Sequence, residues 1–312
     1  MPGSEENFMN AYYDPYRRVG RAAGRWYKCN FHAHDEIGYE KVVGLYETGG
    51  YDILMVHGNY ADGGRGGDSG IKIFGGEEYL EKDGILLVGA AGPITGSPQR
   101  AIDACTAGGG FSIVCHPNLV PSENCPEEKL LMPGEIATLT GLSGVEIING
   151  CLIRAIERGE GIGEGIATDV WDMLLSAGKI IWGFGNDDFH GPETFGVAWN
   201  EIYSASGSLE DIRGAVRLGQ CYASTGLKLS RYDFNGEWLE VEARNPLRDE
   251  PEIEYRFIGE NMEILDVCAG TKARYRVTGR EKYVRVEACG ASGAQLWTQP
   301  LIRDHDETDI VI

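Results

Sequence analysis

His32 and His34, one residue apart, close an aromatic and apolar run over residues 26–31. In a β-strand, side chains two apart point to the same face, so both imidazoles project together from the strand's C-terminal end. Two imidazoles on one face can chelate a single divalent ion. With only 6 His in 312 residues, an HxH pattern behind a buried-looking strand weighs against a pair of surface histidines. Further histidines and acids fall in or directly behind later apolar runs. These are His57 after 51–56, His116 after 110–115, Glu146 within 144–150, and Asp188 with His190 after 180–185. A site of imidazole and carboxylate ligands suits zinc, iron or manganese better than calcium or magnesium.

Positioning these groups requires that their carrier segments end at a common place. The runs at 51–56, 84–88, 110–115, 144–150, 180–185 and 197–203 read as strands. Between them lie helical spacings: Tyr39, Val42, Val43 and Tyr46 before Gly49, then 98–107, then Val170, Trp171, Leu174 and Leu175 ahead of Gly178. A last helix over 208–219 takes Ser208 as its N-cap. Strands alternating with helices predict a parallel sheet, and this many repeats predict closure into a β/α barrel. In such a barrel all strand ends share one rim, where the histidines and acids would meet. After Gly226 the pattern alternates with period two at 239–243, 252–258, 273–277 and 283–288. That predicts a small antiparallel β-sandwich. The expected domains are 1–225 and 226–312.

The net charge of −20 repels phosphate backbones and argues against a broad nucleic-acid surface. No apolar run is long enough to cross a bilayer, and residues 1–10 lack the basic and apolar parts of a secretory signal. A cytoplasmic protein without membrane partners is expected; its oligomeric state is open. The 8 Cys form no CxxC framework and are expected as reduced thiols. Cys115, beside His116, alone invites the reading of a metal neighbour, against the plainer one of a small buried strand residue. The glycine-rich stretch 60–76 is either a loop over the site or an ordinary connection. It lacks the lysine-serine or lysine-threonine pair of a phosphate-cradling loop.

HxH behind the first strand, the Cys-His-Pro-Asn of 115–118, the Gly-Val-Glu-Ile-Ile-Asn of 144–149 and the Gly-Asn-Asp-Asp-Phe-His of 185–190 resemble the PHP (polymerase and histidinol phosphatase) family. The resemblance runs from about Trp26 to Gly226. It implies a distorted seven-stranded β/α barrel, up to three metal ions and hydrolysis of phosphate esters. On that resemblance His32, His34 and Asp188 correspond to first-metal ligands, His116 to a second-metal ligand, and His57 and His190 to third-metal ligands. Glu146 is either a ligand or a strand residue. The family's threonine-aspartate-histidine falls on Met55, Val56 and His57, so its aspartate is lost. Its metal-bridging glutamate falls near Ala91, with no carboxylate, and the acidic loop after HxH shrinks to Asp35 and Glu36. Fewer than three ions are therefore expected.

The expected function is a metal-dependent phosphoesterase acting on a small phosphorylated substrate through a metal-activated water. His190 or His57, if not tied to metal, would assist proton transfer to the leaving group. Lys28 or Arg65 would face phosphate charge, unless they are solvated surface cations. The alternative is a degenerate relative that binds metal or ligand without hydrolysing esters. His305, among the acids at the C-terminus, would reach a metal only if the tail folded back.

Overall fold

The computed structural model describes residues 12–60, 70–79, 81–82, 84–121 and 126–305. Ile53–Met55, Ile85–Val88 and Phe111–Val114 are buried at every position. Unbroken apolar strands of this kind must be covered on both faces. They lie in two different sheets. In the first, Gly76–Glu78, Ile85–Val88, Phe111–Val114, Gly144–Asn149 and Trp182–Asn186 neighbour one another in that order. Its first two pairings are antiparallel and its last two parallel. In the second, Arg25–Asn30, Ile53–Met55 and Lys72–Phe74 run parallel. Trp199–Ser204 and Cys221–Ser224 extend that sheet antiparallel on the other side of Arg25–Asn30. From there it continues into Gln295–Thr298 and Tyr283–Gly290.

This corrects the expected barrel. The described residues form 19 strands against 6 α-helices, and strand pairing does not run round a closed ring. Among them the two sheets are paired to each other only at single bridges, Ala33 to Phe189 and Asn59 to Gly76. Side-chain amides occupy places where a ladder would otherwise continue. Asn186 Oδ1 accepts the Phe31 N–H at 2.9 Å, while Asn200 takes the Gly185 N–H at 2.9 Å and donates to the Gly185 carbonyl at 2.7 Å. Alternating strand and helix patterns also carry no information about strand direction. The helix Pro98–Ala107 returns the chain antiparallel, not parallel, between Ile85–Val88 and Phe111–Val114.

Helix starts follow their side-chain caps. Ser97 accepts the Arg100 N–H at 3.3 Å and Ser208 the Asp211 N–H at 3.2 Å, each satisfying a donor that the first helical turn leaves open. Thr168–Ser176 packs through Trp171, whose indole N–H donates to the Ile181 carbonyl at 2.9 Å. Toward the C-terminus, Lys228–Phe234, Trp238–Arg244 and Ala273–Arg276 form a three-stranded antiparallel sheet. Its inward Leu239, Val241 and Ala273 share a core with Tyr255, Phe257, Val284 and Val286 of the long sheet. Among the described residues no helix is long and apolar enough to cross a membrane.

Candidate metal centre

The strand Arg25–Asn30 delivers the HxH pair, and its last residue helps to hold it. Asn30 Oδ1 accepts the His32 N–H at 3.0 Å. The His34 N–H donates to the Phe189 carbonyl at 2.9 Å and the Phe189 N–H to the His32 carbonyl at 3.2 Å. The two segments carrying HxH and Asp188–His190 are thus zipped together. His116 has φ +30° and Asp188 φ +49°. Left-handed backbone is costly for residues with a Cβ, and it is tolerated here where side chains must be turned out of the strand direction.

Glu78 stands in the middle of the cluster. Its Oε1 lies 2.8 Å from His116 Nε2, and its Oε2 lies 3.6 Å from His32 Nε2 and 3.5 Å from His34 Nε2. Asp188 Oδ1 faces the same imidazoles from the other side, 3.1 Å from His32 Nε2, 3.4 Å from His34 Nε2 and 3.2 Å from His190 Nε2. The His34 and His190 rings stack with centroids 4.4 Å apart. His190 Nδ1 turns outward to Glu36 Oε1 at 2.9 Å. The His57 ring centroid lies 5.2 Å from that of His34, and its Nδ1 accepts the Glu78 N–H at 2.8 Å.

Glu146 lies behind this cluster. It accepts from His32 Nδ1 at 3.1 Å, Asn186 Nδ2 at 2.9 Å, Asn149 Nδ2 at 2.8 Å and the His116 N–H at 2.9 Å. Those four donors occupy its oxygens and fix which way His32 faces. With Nδ1 committed to Glu146, His32 Nε2 points at Glu78, Asp188 and His34. That nitrogen is buried and in ion-pair contact with both carboxylates, yet it makes no aligned hydrogen bond to either. A buried imidazole nitrogen facing two carboxylates without an aligned hydrogen bond to either is a donor set that a divalent cation would complete.

The electrostatics agree with that geometry. Burial alone would push the His32 imidazole down, but Asp188, Glu146 and Glu78 outweigh it and hold its pKa well above the ordinary value. Burial alone would likewise raise Glu78 and Asp188. His116 and His32 hold Glu78 well below the usual carboxylate range, and His32, His190 and His34 do the same for Asp188. Asp188 and Glu36 lift His190 to about 9. His57 is pushed down by burial and by the neighbouring His34.

Of the residues singled out in the sequence, His32, His34 and Asp188 present ligand atoms within 4.8 Å of one another. His116 groups in the same way with His32, Glu78 and Cys115, and His190 with Asp188 and Cys151. His57 touches the cluster's edge and Glu146 its back, and neither joins a group of this kind among the described residues. Lys28 is elsewhere: its Nζ sits 3.8 Å from the Tyr51 ring and 4.4 Å from the Trp199 ring and donates to the Gly49 carbonyl. His305 lines a separate cavity with Lys179, Lys282 and Arg303. Arg65 and the glycines of 61–69 lie outside the described residues.

Glu78 is the residue that sequence reasoning missed. The resemblance puts an acid near Ala91, behind the strand Ile85–Val88, whereas the carboxylate among the histidines comes from one strand earlier. Gly76–Glu78 is three residues long and has no apolar run to announce it. Its signal is the acid pair between Gly76 and the buried Tyr79. Alternation sends Glu77 to the Tyr60 hydroxyl and the Ile94 N–H, and Glu78 to the opposite face and the histidines.

No family model matches the sequence, and no curated protein matches it. Among solved structures, the chain is similar to a two-domain protein from Bacteroides vulgatus containing a predicted PHP-like metal-dependent phosphoesterase. The similarity has a TM-score of 0.45 and 12% identity, over 85% of this chain and 90% of that one. A likeness at this level is one of outline, and the chemistry rests on the side chains.

Proposed function

We propose that this protein is a metal-dependent hydrolase of small phosphate esters, its ions held among His32, His34, Glu78, His116, Asp188 and His190. The observation that carries the reading is the buried convergence of His32 Nε2, Glu78 and Asp188, close enough to pair but without an aligned hydrogen bond at Nε2. A divalent transition ion bound there would polarise a phosphoryl oxygen and supply hydroxide near neutral pH. The two oxygens of Glu78 serve different imidazoles, His116 on one side and His32 with His34 on the other. A single carboxylate so placed can join two neighbouring ion positions. Glu146 fixes the orientation of His32 through Nδ1, the role carboxylates commonly play behind metal-bound histidines.

Beside His57 opens a cleft of about 780 Å³ lined by Tyr39, Lys41, His57 and Asn59. That size suits a small molecule. Lys41 is the cation a phosphate group would meet on the cleft wall, which also carries Asp35 and Glu40. Because His57 Nδ1 accepts the Glu78 N–H, the neutral ring carries its hydrogen on Nε2. His57 can therefore donate a hydrogen bond from Nε2 to a phosphoryl or leaving oxygen, while the ring stays neutral. His190 faces Asp188 through Nε2 and Glu36 through Nδ1, so as a ligand it would keep its remaining N–H on Glu36.

One feature favours the second reading, metal binding without hydrolysis. Met55 and Val56, at positions where the resembled family carries threonine and aspartate, are wholly buried and offer no ligand. Elemental analysis combined with phosphatase assays in Mn, Fe, Zn and Co separates the two. Bound metal with ester hydrolysis that is lost in His32→Ala supports the hydrolase. Bound metal with a flat response across a broad phosphoester panel supports the binding protein.

A further inference from the structure

We propose that Cys115 is a thiolate ligand, so that the ion position on the His116 side of Glu78 is a mixed nitrogen, oxygen and sulfur site. The proposal deepens the metal-centre reading, and its test does not depend on catalytic activity.

Cys115 follows the strand Phe111–Val114 directly, and its N–H is tied to the Gly84 carbonyl at 3.0 Å. Were the chain to stay extended, the side chains of residues 115 and 116 would point to opposite faces. The left-handed backbone of His116 breaks that alternation. Both side chains then reach the same carboxylate oxygen: Cys115 Sγ lies 3.6 Å from Glu78 Oε1 and His116 Nε2 lies 2.8 Å from it. His32 joins them, so that four potential ligand atoms of three chemical kinds lie within 4.8 Å of one another. The buried His32 Nε2, which makes no aligned hydrogen bond although it faces Glu78 and Asp188, is a second sign that this space takes a ligand.

The surroundings fit a ligand better than a packing residue. Cys29 and Cys105, also buried, donate to backbone carbonyls of Tyr27 and of Val88 and Phe111. Cys115 instead donates to a carboxylate that already faces imidazoles. Cys115 also lines a small cavity with Leu130, Leu131 and Met132. Binding of the ion replaces the S–H bond with a sulfur–metal bond and releases one proton to solvent. Sulfur in the set shifts preference toward zinc, iron or cobalt and away from manganese and magnesium.

The test uses the full-length protein stripped of metal and reloaded with cobalt(II) alone. A near-ultraviolet sulfur-to-cobalt charge-transfer band is expected in the wild type and in Cys151→Ser, and its loss in Cys115→Ser. Zinc X-ray absorption on the wild type needs no variant and should show a sulfur neighbour at about 2.3 Å. A cobalt form without the band, a band that survives Cys115→Ser, or a zinc shell of only nitrogen and oxygen overturns the proposal. Ester hydrolysis without the band removes sulfur but leaves the hydrolase. The band without hydrolysis keeps the sulfur ligand and removes the hydrolase.

Discussion

Two clusters of buried charge among the described residues are built to opposite ends. On the helix Thr168–Ser176, Asp172 is fully buried and faces Arg285, itself 1% exposed, on the strand Tyr283–Gly290. Asp172 Oδ1 accepts from Arg285 Nε at 2.9 Å and from the Tyr283 hydroxyl at 2.6 Å, and Oδ2 accepts from Arg285 Nη2. Arg285 Nη1 goes on to Glu287 at 2.6 Å, and the guanidinium lies 5.1 Å from the Trp171 ring. This cluster closes on itself and fastens the C-terminal strands to a helix that precedes them by more than a hundred residues in the chain. In the metal centre the same ingredients stop short. Glu78, Asp188 and four imidazoles converge, with His57 at the edge, and His32 Nε2 makes no aligned hydrogen bond to the carboxylates it faces. A closed buried network holds a fold together; an open one leaves room for something else.

Breaking each cluster separately should give opposite results. The largest effect is expected from His32→Ala, which should abolish ester hydrolysis in activity assays and bound metal in elemental analysis while leaving the chain folded. Retained metal together with retained hydrolysis would remove His32 from the centre. Next, Asp172→Ala leaves a buried guanidinium uncompensated and should cost about 3–5 kcal/mol in urea unfolding. The folded fraction should keep its metal. Pairing Asp172→Leu with Arg285→Met should recover most of that stability, because a closed structural pair can be exchanged for apolar contacts. If the double variant is no more stable than the single one, the cluster has a role beyond fastening.

The metal centre should behave the other way. Zinc at a hundredfold excess over its dissociation constant should stabilise the wild type by about 2.7 kcal/mol in thermal melts. Glu78→Gln should show little of that gain, and an equal gain in both proteins would deny Glu78 a place among the ligands. The smallest effect is expected from Glu146→Gln, which keeps the bulk behind His32 but weakens its hold. Metal affinity should fall roughly 10–100-fold in competition titrations, with stability of the metal-free protein less affected. An unchanged affinity would make Glu146 a purely structural acid.

The difference between the two clusters also explains what could be seen in the sequence. HxH, His116, Asp188 and His190 stand directly behind apolar strands, so residue type and position sufficed to bring them together on paper. The Asp172–Arg285 pair was not visible, because a single acid on an amphipathic helix looks the same whether it faces water or a distant arginine. Glu78 was hidden by a strand too short to leave a periodic trace. The barrel was over-read for a related reason. Apolar runs specify that strands exist, whereas their direction and closure depend on tertiary pairing, here interrupted by Asn186 and Asn200. The local caps Ser97 and Ser208 act within one turn. Ser208 was therefore legible from the residues alone.

The most direct test of an open cluster completed by a cation is zinc titration of metal-free wild type beside Glu78→Gln, followed calorimetrically. The account requires at least one tightly bound equivalent in the wild type and its loss or marked weakening in the variant. A wild type that takes up no zinc, or a variant that binds it equally well, would contradict it.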